Sequence, residues 1–200
     1  MYQEKTIKTY LADLASDKHI PGGGSCIPLL GALTNAIVRF VVNLSINKKK
    51  YQTAKAELEA LRLRAESLQN NFLPLIDRDC EILDEILSAW KNADCTETER
   101  NETVKRAIDF SLTICNMCFE TLEIGLEIAK LENRMLSSDV EIIALLGEAA
   151  LNGSISNIKI NITTLNDAEY REETAKKCRF FIDEGKKIKN KIIDLTNLQI

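Results

Sequence analysis

Ile20-Pro21-Gly22-Gly23-Gly24-Ser25 runs into an apolar stretch from Cys26 to Ser45 and closes on Lys48-Lys49-Lys50-Tyr51. Three consecutive glycines weaken any helix or strand, and they allow backbone conformations closed to other residues. Ser25 reads as the N-cap of a long helix, and Pro28 falls in its first turn, where a missing N–H costs nothing. Apolar residues cover nearly every side of that helix, which puts it at the centre of a helical bundle. Thr34, Asn35, Arg39 and Asn43 interrupt the run, so it reads as a buried helix and not as a membrane span.

The rest of the chain supplies the helices around it. Ile7, Tyr10, Leu11, Leu14 and Ala15 share one face of a first helix capped by Thr6. Leu58, Leu61, Ala65, Leu68 and Phe72 continue beyond Pro74 through Leu75 or Ile76, Asp79, Ile82 or Leu83, Ile86 and Trp90. One kinked helix or two end to end would fit that pattern. Thr96 and Glu99 form a capping box for a stripe from Val104 through Ile108, Ser111, Cys115, Cys118, Leu122 and Leu126 to Ala129. Ser138 and Glu141 suggest another capping box, with Asp139 at the first helical position and the helix running through Gly153 to Leu165. Asp167 caps a last helix with Ala175, Cys178, Phe181 or Ile182, Gly185, Ile188, Ile192 and Leu195 inside.

About six helices with short connections predict an all-α, up-and-down bundle forming one domain over residues 1–200. Eight glycines, three prolines and 6% aromatics agree with that class. A net charge of −4 lacks the basic excess of a nucleic-acid binder. Met-Tyr-Gln-Glu-Lys is too polar to open a signal peptide, so the six cysteines suggest reduced thiols in the cytoplasm, and no membrane partner is expected.

Candidate chemistry collects at a few positions, each with a plainer reading beside it. Gly22, Gly23, Gly24 and Ser25 offer a helix N-terminus to an anion, or they form an ordinary flexible turn. Lys48, Lys49 and Lys50 lie at the far end of the same helix, roughly 30 Å away. The two ends can serve one small ligand only if two copies pack antiparallel; otherwise the lysines are a solvated charge run. Asp79 sits on an apolar stripe and so should have a raised pKa unless a cation or donor satisfies it. It suits general acid or base work, or it is a structural acid paired with Arg or Lys.

Asp139 stabilises a helix dipole or balances a cationic substrate. Asn157 and Asn161 share a face with Gly153, as two amides for a ligand or as an interhelical pair. Cys115 and Cys118 form a C-x2-C on a core stripe with no second pair nearby, so buried thiols are expected and no metal site. His19 is the single histidine, beside the glycine loop.

Taken together, Pro21-Gly22-Gly23-Gly24-Ser25, Gly31-Ala32-Leu33 and Lys48-Lys49-Lys50-Tyr51 resemble the opening of the folate cyclodeaminase/cyclohydrolase family. Ser138-Asp139 with Ala144, Ala149-Ala150, Gly153, Asn157 and Asn161 resembles its second signature, and Asp79 falls where that family has an aspartate. Ile27 and Pro28 depart from the small residues usual there, Asn47 and Glu132 replace glycines (the second in a Gly-Asn pair kept as Asn133), and a proline is missing near Asn116.

The resemblance implies a dimeric helical bundle acting at the N5/N10 bridge of tetrahydrofolate. The first expectation is a formimidoyltetrahydrofolate cyclodeaminase releasing ammonia. The alternatives are a 5,10-methenyltetrahydrofolate cyclohydrolase, or a non-catalytic folate-binding scaffold of the same fold. The reduced folate is substrate, and neither metal nor cofactor is implied. In this reading Asp139 balances the substrate cation, Asp79 or a water it holds moves the proton, and Asn157, with Asn161 beside it, orients the pterin or the attacking group. The glycine loop and Lys48 to Lys50 hold the glutamate tail. Any formimino transfer is expected to occur on another chain.

Overall fold

The computed structural model describes residues 1–131 and 134–196. Among them six α-helices and no strand occur: α1 (Ile7–Leu14), α2 (Cys26–Ser45), α3 (Lys55–Lys91), α4 (Glu97–Ala129), α5 (Ser137–Thr164) and α6 (Ala168–Thr196). Glu132 and Asn133 lie outside the described residues.

Specific side-chain contacts fix the direction of each long helix. Gly31 of α2 backs onto Phe72 of α3, and Arg39 bonds Glu66 and Gln69, so these two helices run antiparallel. Arg64 to Glu120 and Arg106 to Glu85 set α4 antiparallel to α3. Gly125 meets Ile143 and Gly147 meets Leu122, which reverses the direction again for α5. Lys189 to Glu148 and Thr196 to Glu141 return α6 along α5. The five long helices therefore alternate up and down, with α2 packed on α3, α4 and α5. The Gly23–Ser45 stretch is long and apolar enough to cross a bilayer, but 56% of its most apolar 18-residue window is buried within the bundle, as in a core helix.

Asn35, fully buried in α2, donates to the Gly31 carbonyl and to Thr121 Oγ1 of α4, each at 2.9 Å. That polar clasp fixes the register of α2 on α4 inside an otherwise apolar core dominated by residues such as Val38, Phe72, Ile108, Leu122 and Ile155. Pro74 sits within a continuous α3 on the exposed side, so the one-helix reading holds. The Thr96–Glu99 capping box forms in both directions, at 3.2 and 2.8 Å. Asp167 caps α6 by accepting from the Tyr170 N–H.

Three local expectations fail. Ser25 holds the N-cap position of α2, but its side chain caps nothing; it ends a 3-10 turn over Gly23–Ser25 that feeds straight into the helix, and its hydroxyl turns back to the Gly22 carbonyl. No capping box forms at Ser138, because α5 already starts at Ser137 with Leu136 before it, which makes Asp139 the third helical residue. In α1 only Tyr10 is buried, while Ile7 and Leu11 are exposed at 77% and 54%. The helix is anchored by one side chain and not by its apolar stripe.

Candidate active site

The glycines owe their place to space, not to torsion. None has a positive φ. A Cβ on Gly24 would lie 2.7 Å from Asp79 Oδ2 and 2.8 Å from its Cγ, whereas one on Gly23 would meet nothing. Only a glycine backbone can approach the carboxylate this closely. Asp79 is 9% exposed and has no hydrogen-bond or ion-pair partner among the described residues, so burial alone pushes its carboxyl up to about 6. The structure thus answers the question left by the sequence: this acid is not held in a structural ion pair.

Around Asp79 opens a cleft of about 150 Å³. Gly22 to Gly24 form one wall, Ile82, Leu83 and Ile86 of α3 the next, Ala107, Phe110 and Ser111 of α4 the floor, and Asn157, Ile160 and Asn161 of α5 the far side. Asp79 is the one ionisable side chain lining it among the described residues. Ser154 donates 2.7 Å to the Ser111 carbonyl and so pins α5 to α4 beneath the cleft. Neither the Asn157 nor the Asn161 side chain makes a hydrogen bond among the described residues, which leaves both amides available to a ligand. Phe110 adds an aromatic face. It was missed because its α4 position lies off the core stripe, and no spacing rule marks a cleft floor.

The sequence-derived candidates separate into two groups. Gly22, Gly23, Gly24, Asp79, Asn157 and Asn161 come together here, and Ser25 is buried directly behind the loop. Lys48, Lys49, Lys50 and Asp139 do not. Gly153 abuts Ile27, so α5 runs antiparallel to α2 and brings its first turn to the lysine end of that helix. From Asp139 to Asn157 is roughly 27 Å along α5. Lys49 and Lys50 belong to a short 3-10 turn, with the Lys50 ammonium 5.2 Å from the Tyr51 ring centre.

Ile27, one of the departures noted above, is buried, with its Cγ1 3.2 Å from where a Gly153 Cβ would stand. The missing side chain at 153 makes room for the large one at 27. Cys115 and Cys118 are buried thiols, Cys115 pushed up to about 12 by burial, and no cluster of three metal-ligating side chains occurs among the described residues. His19 is exposed on the loop before the glycines.

A buried, unpaired carboxyl near neutrality, two open amides and a close glycine backbone put a group able to take up or release a proton inside a partly polar cleft. Comparison with known proteins places the chain in a family. The family model for formiminotransferase-cyclodeaminase matches residues 6–180. A methenyltetrahydrofolate cyclohydrolase from Methylorubrum extorquens is 30% identical, with all of both chains covered. The formimidoyltransferase-cyclodeaminase of Rattus norvegicus is 20% identical over 92% of this chain, which spans 35% of that relative. The formiminotetrahydrofolate cyclodeaminase of Thermotoga maritima shares the fold at a TM-score of 0.92 and 20% identity, covering 98% of both chains. The chain belongs to the folate cyclodeaminase/cyclohydrolase family of enzymes.

Proposed function

We propose that this protein is a 5,10-methenyltetrahydrofolate cyclohydrolase working without a metal. The observation that carries the reading is Asp79, a lone carboxylate held near pH 6 in a cleft that admits water. End-to-end similarity to a cyclohydrolase supports it. Ionised Asp79 takes a proton from water as the oxygen bonds to the cationic methenyl carbon. The neutral tetrahedral adduct then collapses. Protonated Asp79 returns the proton to N5, the C–N5 bond breaks as the adduct's hydroxyl gives its proton to solvent and becomes the carbonyl, and the formyl group stays on N10. Asn157 and Asn161 hold the pterin or the attacking water, and Phe110 offers a face for its ring.

Cyclodeaminase action is the second reading, favoured by the family match over residues 6–180. There N10 attacks the formimino carbon, the N10 proton passes to the departing nitrogen, and protonated Asp79 supplies the further proton that lets it leave as ammonia. Decay of methenyl absorbance above the buffer rate supports the first reading. Ammonia release from 5-formiminotetrahydrofolate supports the second, and silence from a folded protein with both substrates rejects both.

The lysines and Asp139 enter through a second copy. Leu33, Phe40 and Leu44 of α2 and Ile142 and Leu145 of α5 are exposed at 41–52%, on the outer side of two neighbouring antiparallel helices. Arg39 of α2 turns away to α3, and Glu141 and Glu148 of α5 turn to α6, which leaves that face free of their charges. Two copies joined there about a twofold axis set the lysine end of one against the cleft of the other. Asp139 then balances the substrate cation, and Lys48 to Lys50 meet the glutamate tail beside the glycine loop. The setting proposed for this homodimer is the cytoplasm.

A further inference from the structure

The N-terminal helix has no evident reason to be fixed where it is. α1 leaves Ile7 and Leu11 in solvent and buries only Tyr10, at 5% exposure. What Tyr10 reaches is the glycine loop. Its hydroxyl lies 2.7 Å from Ser25 Oγ, and Ser25 Oγ donates at 2.8 Å to the Gly22 carbonyl. Since the Ser25 proton is committed to Gly22, the Tyr10 hydroxyl is the donor to Ser25. The Gly22 carbonyl also accepts the Ser25 N–H at 3.1 Å, so both of its lone pairs are occupied and the turn is held from two sides.

A second tether fixes the segment beside the same carboxylate. The Tyr2 and Gln3 N–H groups donate to the Asp77 carboxylate, two residues before Asp79 on α3. The Tyr2 ring stands edge-on to the Tyr10 ring, with centres 5.9 Å apart. One short segment therefore grips α3 next to Asp79 and grips the loop whose Gly24 touches Asp79.

We propose that Tyr10 is a positioning residue for the cleft: its hydroxyl, through Ser25, holds the Gly22 to Gly24 turn against the Asp79 carboxylate. The consequence for turnover rests on the function proposed above; the consequence for the loop does not. Tyr10→Phe deletes one oxygen and keeps the buried ring. Amide hydrogen exchange in a peptide spanning Gly22 to Ser25 is expected to quicken about tenfold in this variant, with the melting midpoint lowered by only a few degrees. Folate turnover is expected to lose about tenfold in kcat/KM, set by the bond to Ser25, since the same hydroxyl's 3.4 Å contact with Cys26 Sγ is the weaker of its two. In a Ser25→Ala background the same substitution should cost less than twofold, because the relay is already broken.

Wild-type exchange in the Tyr10→Phe loop overturns the proposal, and so does an equal loss of turnover in both backgrounds. If wild-type protein turns over neither folate, the proposed function falls while the exchange result still decides the role of Tyr10. Should Tyr10→Phe melt below the assay temperature, Ser25→Ala alone carries the exchange test with the same expected outcome.

Discussion

Asp79 concentrates the cost and the use of this site in one side chain. Its folded pKa of about 6 stands above that of an unfolded aspartate, so the folded state binds the proton more tightly. Below about pH 4 both states are protonated and no penalty exists. Between about pH 4 and 6 the unfolded chain gives up its proton first, and folding stability falls as pH rises. Above pH 6 the full cost applies, on the order of 3 kcal/mol. Asp79→Asn should therefore stabilise the protein by up to about 2–3 kcal/mol at pH 7 and by almost nothing at pH 4, measured by urea unfolding at both.

The same variant should lose at least about 100-fold in kcat, and the wild-type hydrolase rate should climb as pH passes through about 6. A variant that keeps turnover removes Asp79 from the chemistry. Asp139→Asn should abolish turnover while folate affinity, followed by ligand fluorescence quenching, stays within a fewfold. Retained turnover would strip Asp139 of its role. The sequence exposed Asp79 because a carboxyl on an apolar stripe is conspicuous. It could not decide whether a partner neutralises it, since partners come from other helices.

Helices whose ends obey local chemistry were the most legible elements. Thr96 and Glu99 cap α4 through contacts three residues apart, which the chain displays directly. Thr96→Ala should cost about 1 kcal/mol, read as a lowered urea midpoint. The start of α5 escaped because neither serine caps it: the preceding 3-10 turn ends on Leu136, which takes the cap position and leaves Ser137 already inside the helix. The α1 stripe misled for a different reason. Periodicity says which residues share a face, but not whether another element arrives to cover it, and here only Tyr10 is covered.

The glycine loop was recognised as special, yet for torsional freedom it does not use. Gly24→Ala tests the steric account: a Cβ driven into the Asp79 carboxylate should cut turnover at least about tenfold, whereas Gly23→Ala, facing open space, should leave the melting midpoint almost unchanged. The Ile27–Gly153 contact shows why the departure at 27 was hard to judge from sequence, because its compensation sits on α5, far along the chain.

At the scale of the whole molecule, periodicity was enough to give the number and order of helices. Short connections also gave the up-and-down alternation, whereas the neighbours of each helix came from contacts such as Asn35 with Thr121, which no spacing announces. The residues proposed for the site divide by ends. Asp79 and the two asparagines occupy one end of the bundle, and Asp139 with the lysines occupies the other. Chains carrying Asp79→Asn and chains carrying Asp139→Asn should each be inactive alone. After mixing and exchange of subunits, half the dimers pair one of each and hold one intact site, so about a quarter of wild-type activity should return. No recovery would confine the site to one chain.

A dimer joined on the exposed apolar face of α2 and α5, as proposed above, would also set a relation between abundance and rate. Where each working site needs two chains, dilution below the dissociation constant makes total activity fall with the square of concentration. A cell that halves its supply of this protein would then lose three quarters of the flux through it.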